Sequence, residues 1–223
     1  MLQLVIGNKN YSSWSLRAWL PLTEAGIAFE EIALPLASAT FAAEIARYSP
    51  AGRVPVLVDR SVGSEGLAIW DTLAIVEYLA ERFPDRRLWP TDIASRARAR
   101  SLCAEMHAGF PALRSALPMN IDAYLSGRGW NVRVQDDIDR LIAMWRDCLE
   151  RSGGPLLFGT FSNADAFFAP VVARFVTYAI DLPDDIAAYR DRVMALAGMQ
   201  AWVAAARTEK IFLAEDEPYR RPA

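Results

Sequence analysis

Beyond Trp70 the chain holds no segment patterned as a β-strand. The candidate strands all come earlier, at Leu2–Ile6 ("LQLVI"), Phe29–Leu34, Val56–Asp59 and Leu67–Trp70. Helical stretches are predicted between and after them, over Trp14–Ala25, Thr40–Arg47 and Asp71–Arg82. Strand, helix, strand is a βαβ unit, and the last two strands, joined by "SVGSEG", form an antiparallel hairpin. The expected product is a four-stranded mixed sheet with helices, complete by about Phe83.

"FPDRRLWPTD", from Phe83 to Asp92, is rich in proline and charge and reads as a linker. Only helical patterning follows. Helices are expected over Ile93–Arg114 with a bend at Pro111, over Val132–Arg151, and over Ala164–Tyr178, Ile186–Leu196 and Met199–Arg207. Pro170 is expected to bend or locally open one of these, since it removes a donor from a helix interior. The tail "EDEPYRRPA" is polar and is expected to drape over the surface. The expected division is therefore residues 1–83, a linker over 84–92, and an all-helical unit over 93–223.

With 53% hydrophobic and 23% charged residues among 223, the chain has ample material for a core. Its formal net charge of -3 argues against a nucleic-acid face, which needs a basic surface. There is one histidine, His107, and two cysteines, Cys103 and Cys148, each in an apolar helical pattern. That set has no metal-ligand spacing and no CxxC, so no metal is expected and both thiols read as buried and reduced. The N-terminal apolar run is too short for a signal peptide, and no stretch reaches membrane-span length; a soluble, cytoplasmic protein is expected.

The chemistry concentrates at three places. "NYSSWSLR" sets Ser12 and Ser13 at the start of the first helix, backed by Trp14. Either hydroxyl can cap the helix or donate to an anion in the field of the helix N-terminus. A Ser–His–Asp hydrolase would depend on His107 alone, and no GxSxG is present. Stabilising a bound thiolate suits the pattern better. Lowering a thiol by about two pKa units takes roughly 3 kcal/mol, which one hydrogen bond to a charged acceptor and a helix end can together supply. "GRVPVLV" puts Arg53, Val54 and Pro55 just before a strand; an ordinary trans turn is the plainer reading of these residues alone, while a cis bond would turn the Val54 backbone outward. "WDTLAIVEYL" puts Asp71 and Thr72 at a helix start, fit to cap it and also to receive a carboxylate at its amides and an ammonium at Asp71. "SNAD" before an apolar run is a capping box made by Ser162 and Asp165, with a structural role.

In this order and spacing, "SSWSLRAWL", "GRVPVLV", "WDTLAIVEYLAERF" and "SNADAFFAP" resemble the cytosolic glutathione S-transferases over nearly the whole chain. The likeness is greatest to a bacterial, serine-type group carrying "NYSSWSLR", similar to the zeta and theta classes. The resemblance implies an α/β thioredoxin-like N-terminal domain and an all-α C-terminal helical bundle. It implies a glutathione transferase, acting in detoxification as a homodimer, with glutathione as co-substrate and no tightly bound cofactor. It places the catalytic serine at Ser12 or Ser13. Glutathione would also meet Trp14, Arg53, the Val54 backbone before a cis Pro55, and Asp71 and Thr72, which stand where the family usually has Glu-Ser. A small hydrophobic electrophile would lie by Met106, His107, Phe110 and Arg114, although a half-buried histidine at the domain interface is the plainer reading of His107. Zeta-class members carry a cysteine after the serine pair. Trp14 occupies that place, which weighs against maleylacetoacetate isomerase and disulfide-exchange chemistry. A glutathione-dependent isomerase, a peroxidase, or a glutathione-binding module without turnover are the alternatives.

Overall fold

The computed structural model describes residues 1–221. Strand β1 (Leu2–Ile6) is central to a four-stranded sheet. It pairs in parallel with β2 (Phe29–Ala33) and antiparallel with β3 (Val56–Asp59), which in turn pairs antiparallel with β4 (Leu67–Trp70). The order β2-β1-β3-β4 is the expected mixed sheet. Alternation along β1 divides the core. Leu2, Leu4 and Ile6 face the main cluster, and Val5 joins Leu34, Ile45, Val56 and Val58 on the other side.

Three helices accompany the sheet: α1 (Ser13–Glu24), the short α2 (Phe41–Ile45) and α3 (Thr72–Arg82). The elements that follow are helices, α4 (Ile93–Ala108), α5 (Pro111–Ala116), α6 (Val132–Ser152), α7 (Asn163–Thr177), α8 (Asp184–Met194) and α9 (Ala197–Thr208), with two isolated β-bridges, Leu156 to Gly159 and Phe158 to Thr160, in the loop before α7. Helix α7 is buried on nearly all sides and is the axis of this half. The Ser162–Asp165 capping box starts it, as its spacing predicts. The helix runs on through Pro170, and α1 likewise runs through Pro21. Each proline leaves one carbonyl without its helical donor, which dense packing around both helices offsets.

Two expectations are corrected. Residues 93–114 form two helices rather than one bent helix. Gly109 is extended and Phe110 has a φ of 62°, so α4 ends there and Pro111 opens α5 at a position that requires no N–H. A Cβ on Gly109 would lie 2.7 Å from the Glu105 carbonyl oxygen, so the turn needs glycine. The tail is not a loose drape. Tyr11 donates from its hydroxyl to Glu217 at 2.8 Å, and Glu217 is only 3% exposed. Just before the tail, the Glu209 carboxylate accepts from the Lys9 and Asn10 amides at 2.7 and 3.1 Å. Of the polar tail segment, Pro222 and Ala223 lie outside the described residues.

The two halves share one core. Arg17 of α1 donates to the Phe167 carbonyl of α7 at 3.0 Å. Trp202 of α9 donates to the Lys9 carbonyl at 2.9 Å, and Asn10 bonds Asn120 at 3.1 Å. The buried face of α1 therefore looks both to the sheet and to the helical half, and the loop before α1 is pinned from both.

Candidate functional site

The start of α1 separates the two serines. Ser12 is the N-cap. Its hydroxyl accepts from the Ser15 amide at 3.3 Å and donates to the Ser15 hydroxyl at 2.7 Å, and the Ser15 oxygen also accepts from the Gly7 amide at 3.0 Å. This small network ties the end of β1 to the first turn of α1, and it commits the Ser12 proton. Ser13 is the first residue of the helix. Its hydroxyl has no hydrogen-bond partner among the described residues, and it lines a cavity of about 360 Å³.

That cavity adjoins a second one of about 280 Å³, and the two share Trp14, Arg53 and Val54 as a common wall. Together they make one cleft between the halves. The smaller part is lined by Pro55, Trp70, Asp71, Thr72 and His107. The larger is lined by Ser12, Ser13, Arg114, Arg174 and Asp216, with Leu36, Phe41, Pro118 and Met119 as apolar surface. The Val54–Pro55 bond is cis. The Val54 backbone lies outside the β3 ladder and makes no hydrogen bond to the described residues.

In the smaller cavity Asp71 has a φ of 71°, a conformation costly for a residue with a side chain. One of its oxygens caps α3 by accepting from the Leu73 amide at 2.8 Å. The other meets Nε2 of His107 at 3.1 Å. The Thr72 hydroxyl is buried and has no partner among the described residues, nor has Nδ1 of His107. A buried hydroxyl donor without a partner, beside free amides at a helix start, suits an anionic ligand group. Burial pushes the His107 imidazole below its ordinary pKa, against the pull of Asp71 and with the repulsion of Arg17 and Arg114.

Trp14 is the pivot between the two parts. The His107 ring packs edge-on to it at 4.9 Å. The guanidinium groups of Arg17 and Arg114 lie 4.5 and 4.9 Å from its ring centre, close enough for cation–π attraction. Arg17 is fully buried, and its two terminal nitrogens have no partner among the described residues.

The structure thus brings Ser12, Ser13, Trp14, Arg53, Val54, Pro55, Asp71, Thr72, His107 and Arg114 to one cleft. It corrects two of the residues expected at a second-substrate pocket. Met106 and Phe110 are buried in the main core and line neither cavity. Met106 shares the inward side of α4 with Leu102 and Cys103, at the three- and four-residue spacing of a core-facing stripe. His107 faces the smaller cavity instead, where it meets Asp71. Sequence reasoning missed Arg17, Arg174 and Asp216. For the two arginines a signal was present: each interrupts an apolar helical run, "LRAWL" and "VVARFV", with no acidic residue within a turn on either side. Nothing local marks Asp216.

Cys103 and Cys148 are free and buried, and burial pushes both thiols up, which leaves them unreactive. Among the described residues no group of three or more His, Cys, Asp or Glu can hold a metal ion. No described helix is long and apolar enough to cross a membrane.

Residues 11–82 match the model of the glutathione S-transferase N-terminal domain, and residues 97–205 match that of the C-terminal domain. A probable maleylacetoacetate isomerase of Caenorhabditis elegans is 26% identical over 172 residues, 77% of this chain and 78% of the relative. A maleylacetoacetate isomerase of Rattus norvegicus is 28% identical over 175 residues, 77% of each. Among solved structures, a glutathione transferase homologue from Burkholderia with bound glutathione superposes with a TM-score of 0.70. It is 24% identical and covers 93% of this chain and 99% of its own, a likeness that establishes the fold.

Proposed function

The chain belongs to the glutathione S-transferase family, and from that premise we propose that it binds glutathione along this cleft and transfers it, as a thiolate, to an electrophile. The observation that carries this reading is the uncommitted hydroxyl of Ser13 at the N-terminus of α1, facing the same cleft as Thr72 and Asp71. The γ-glutamyl carboxylate meets the Thr72 hydroxyl and the first amides of α3. Its ammonium meets Asp71, which His107 holds in place. The backbone of Val54 pairs with the cysteinyl segment, and Arg53 and Trp14 flank it.

Ser13 then donates to the sulfur. The thiol proton leaves to solvent, and the thiolate is held by one charge-assisted hydrogen bond in the field of the helix end. The sulfur forms a bond to the electrophilic carbon, and the leaving group departs with the bonding pair. The protein contributes position and a lowered thiol pKa. Ser12 serves as the cap that fixes the angle of this turn.

The same fold supports the remaining parts of the reading. Glutathione is a co-substrate, with no tightly bound cofactor. The domain limits are 1–83 and 93–223 with the linker 84–92. The molecule is a cytoplasmic homodimer with a role in detoxification. The relatives named as isomerases favour a second reading, in which the thiolate adds reversibly to a double bond and leaves again after rotation. Trp14, in place of the cysteine after the serine pair, is the feature that separates this chain from that chemistry.

Calorimetric titration with glutathione, followed by chloride release from an activated aromatic chloride, tests the proposal. Saturable binding with accelerated conjugation is expected. Binding without turnover would indicate a glutathione-binding module, and absence of saturable binding would overturn the reading.

A further inference from the structure

Of the seven tryptophans in the chain, three commit the indole N–H to an acceptor: Trp19 to Glu31 at 2.6 Å, Trp130 to Gln135 at 3.0 Å and Trp202 to the Lys9 carbonyl at 2.9 Å. Those of Trp89 and Trp145 are buried without a partner among the described residues. The two that remain, Trp14 and Trp70, donate to no described residue, and both line the cleft. Trp70 is confined to the smaller cavity, beside Asp71 and Thr72. Trp14 follows Ser13 in the first turn of α1 and borders both cavities. Its N–H is reachable from the cleft rather than sealed in the core. Glutathione laid from Thr72 to Ser13 crosses this wall, and its cysteinyl sulfur comes to rest at the residue before Trp14.

The Trp14 ring is held from several sides. The guanidinium groups of Arg17 and Arg114 lie 4.5 and 4.9 Å from its centre, and the His107 ring packs edge-on at 4.9 Å. Arg17 is fully buried and lines neither cavity. It donates from Nε to the Phe167 carbonyl, and its terminal nitrogens have no partner among the described residues. An arginine keeps its charge inside a protein, and a cation so placed is drawn to the electron-rich face of an indole. Arg17 therefore meets the cleft only through Trp14. Two cations at one ring also draw electron density from it, which makes the N–H a better donor to an anion.

We propose that the Trp14 indole N–H, in a ring held by Arg17 and Arg114, is a second donor to the glutathione thiolate beside the Ser13 hydroxyl. The proposal rests on the glutathione reading above and adds a group to it. No proton leaves the indole: the thiol proton goes to solvent, as before, and the nitrogen keeps its own. The two donors differ in kind. A serine hydroxyl can donate to a thiolate and can equally accept from a neutral thiol, whereas an indole N–H only donates. Trp14 therefore favours the charged form alone, which is the condition for lowering a pKa.

Two measurements on the full chain test it. The first is the pH midpoint of the ultraviolet thiolate band of bound glutathione in Trp14→Phe, which keeps an aromatic ring and removes the N–H. With glutathione still bound, the midpoint should rise by about half a unit to one unit, the share of a hydrogen bond to a charged group that Ser13 leaves to a second donor. The second uses the nitrogen-labelled wild type and follows the Trp14 indole N–H resonance, assigned by its contact with the ring of His107, the one histidine in the chain. That resonance should move downfield with glutathione bound as thiolate, and much less with S-methylglutathione, whose thioether sulfur is a weak acceptor. This arm decides the matter if Trp14→Phe fails to fold. A wild-type midpoint in folded Trp14→Phe, or the same Trp14 resonance with both ligands, would overturn the inference, and the glutathione reading would stand on the Ser13→Ala shift. Failure of glutathione to bind the wild type, or a wild-type midpoint at the free-thiol value, would overturn the glutathione reading and the inference together.

Discussion

Ser12 and Ser13 are adjacent and chemically identical, yet the fold gives them different work. Ser12 is held by the Ser15 amide and hydroxyl, and Ser13 is left to the cleft. The pair was legible in the sequence as donors at a helix start. The division between them was not, because it depends on Ser15 and on the Gly7 amide at the end of β1. His107 shows the reverse limit. Its place in a helix was readable, but its partner Asp71 lies 36 residues earlier in sequence, and only the packing of α4 beside α3 joins them. Because burial lowers its pKa in the folded state, the unfolded chain takes up the proton first as pH falls. The stability this residue contributes is complete above its unfolded pKa, near 6.5, and is lost as pH falls through the folded value. Wild-type stability should therefore drop relative to His107→Gln between neutral pH and about pH 5, below the unfolded value, as read by urea unfolding across that range. Parallel pH profiles for the two proteins would contradict it.

At the scale of elements, local rules predicted most of what is seen. The four strands, the hairpin and the capping box of α7 follow from alternation, turn residues and the Ser-x-x-Asp spacing. The box turns out larger than its motif. Asp165 accepts from the Ser162 amide and hydroxyl at 3.0 and 3.1 Å, from the Leu157 amide at 3.1 Å and from the Tyr189 hydroxyl at 3.2 Å. It therefore anchors the loop before α7 and α8 as well as α7 itself. Asp165→Ala would leave several buried donors without an acceptor, and should cost about 3 kcal/mol or more in chemical denaturation. Ser162→Ala should cost nearer 1 kcal/mol, the usual loss of a cap. The break between α4 and α5 was misread because a proline preceded by Gly-Phe fits either a bend or a restart. What decides it is Arg114, whose guanidinium takes the carbonyls left open at the end of α4.

For the whole molecule, the order of a mixed sheet followed by helices was readable, but the degree to which the halves depend on each other was not. Helix α1 belongs to the sheet by connection and to α7 by burial, and the tail returns to the loop that precedes it. With one core, the chain should unfold in a single transition, with tryptophan fluorescence and far-ultraviolet circular dichroism coincident on heating; two resolved transitions would show that the halves are energetically separate. The cleft these contacts build is the setting for the central claim, that Ser13 holds glutathione as a thiolate. The direct measurement is the ultraviolet thiolate band of bound glutathione, titrated against pH in wild type, Ser12→Ala and Ser13→Ala. The account predicts a wild-type midpoint about two units below that of a free thiol, a rise of about one to two units in Ser13→Ala, and a near-wild-type midpoint in Ser12→Ala. A wild-type midpoint at the free-thiol value, or a shift that survives in Ser13→Ala and disappears in Ser12→Ala, would contradict it.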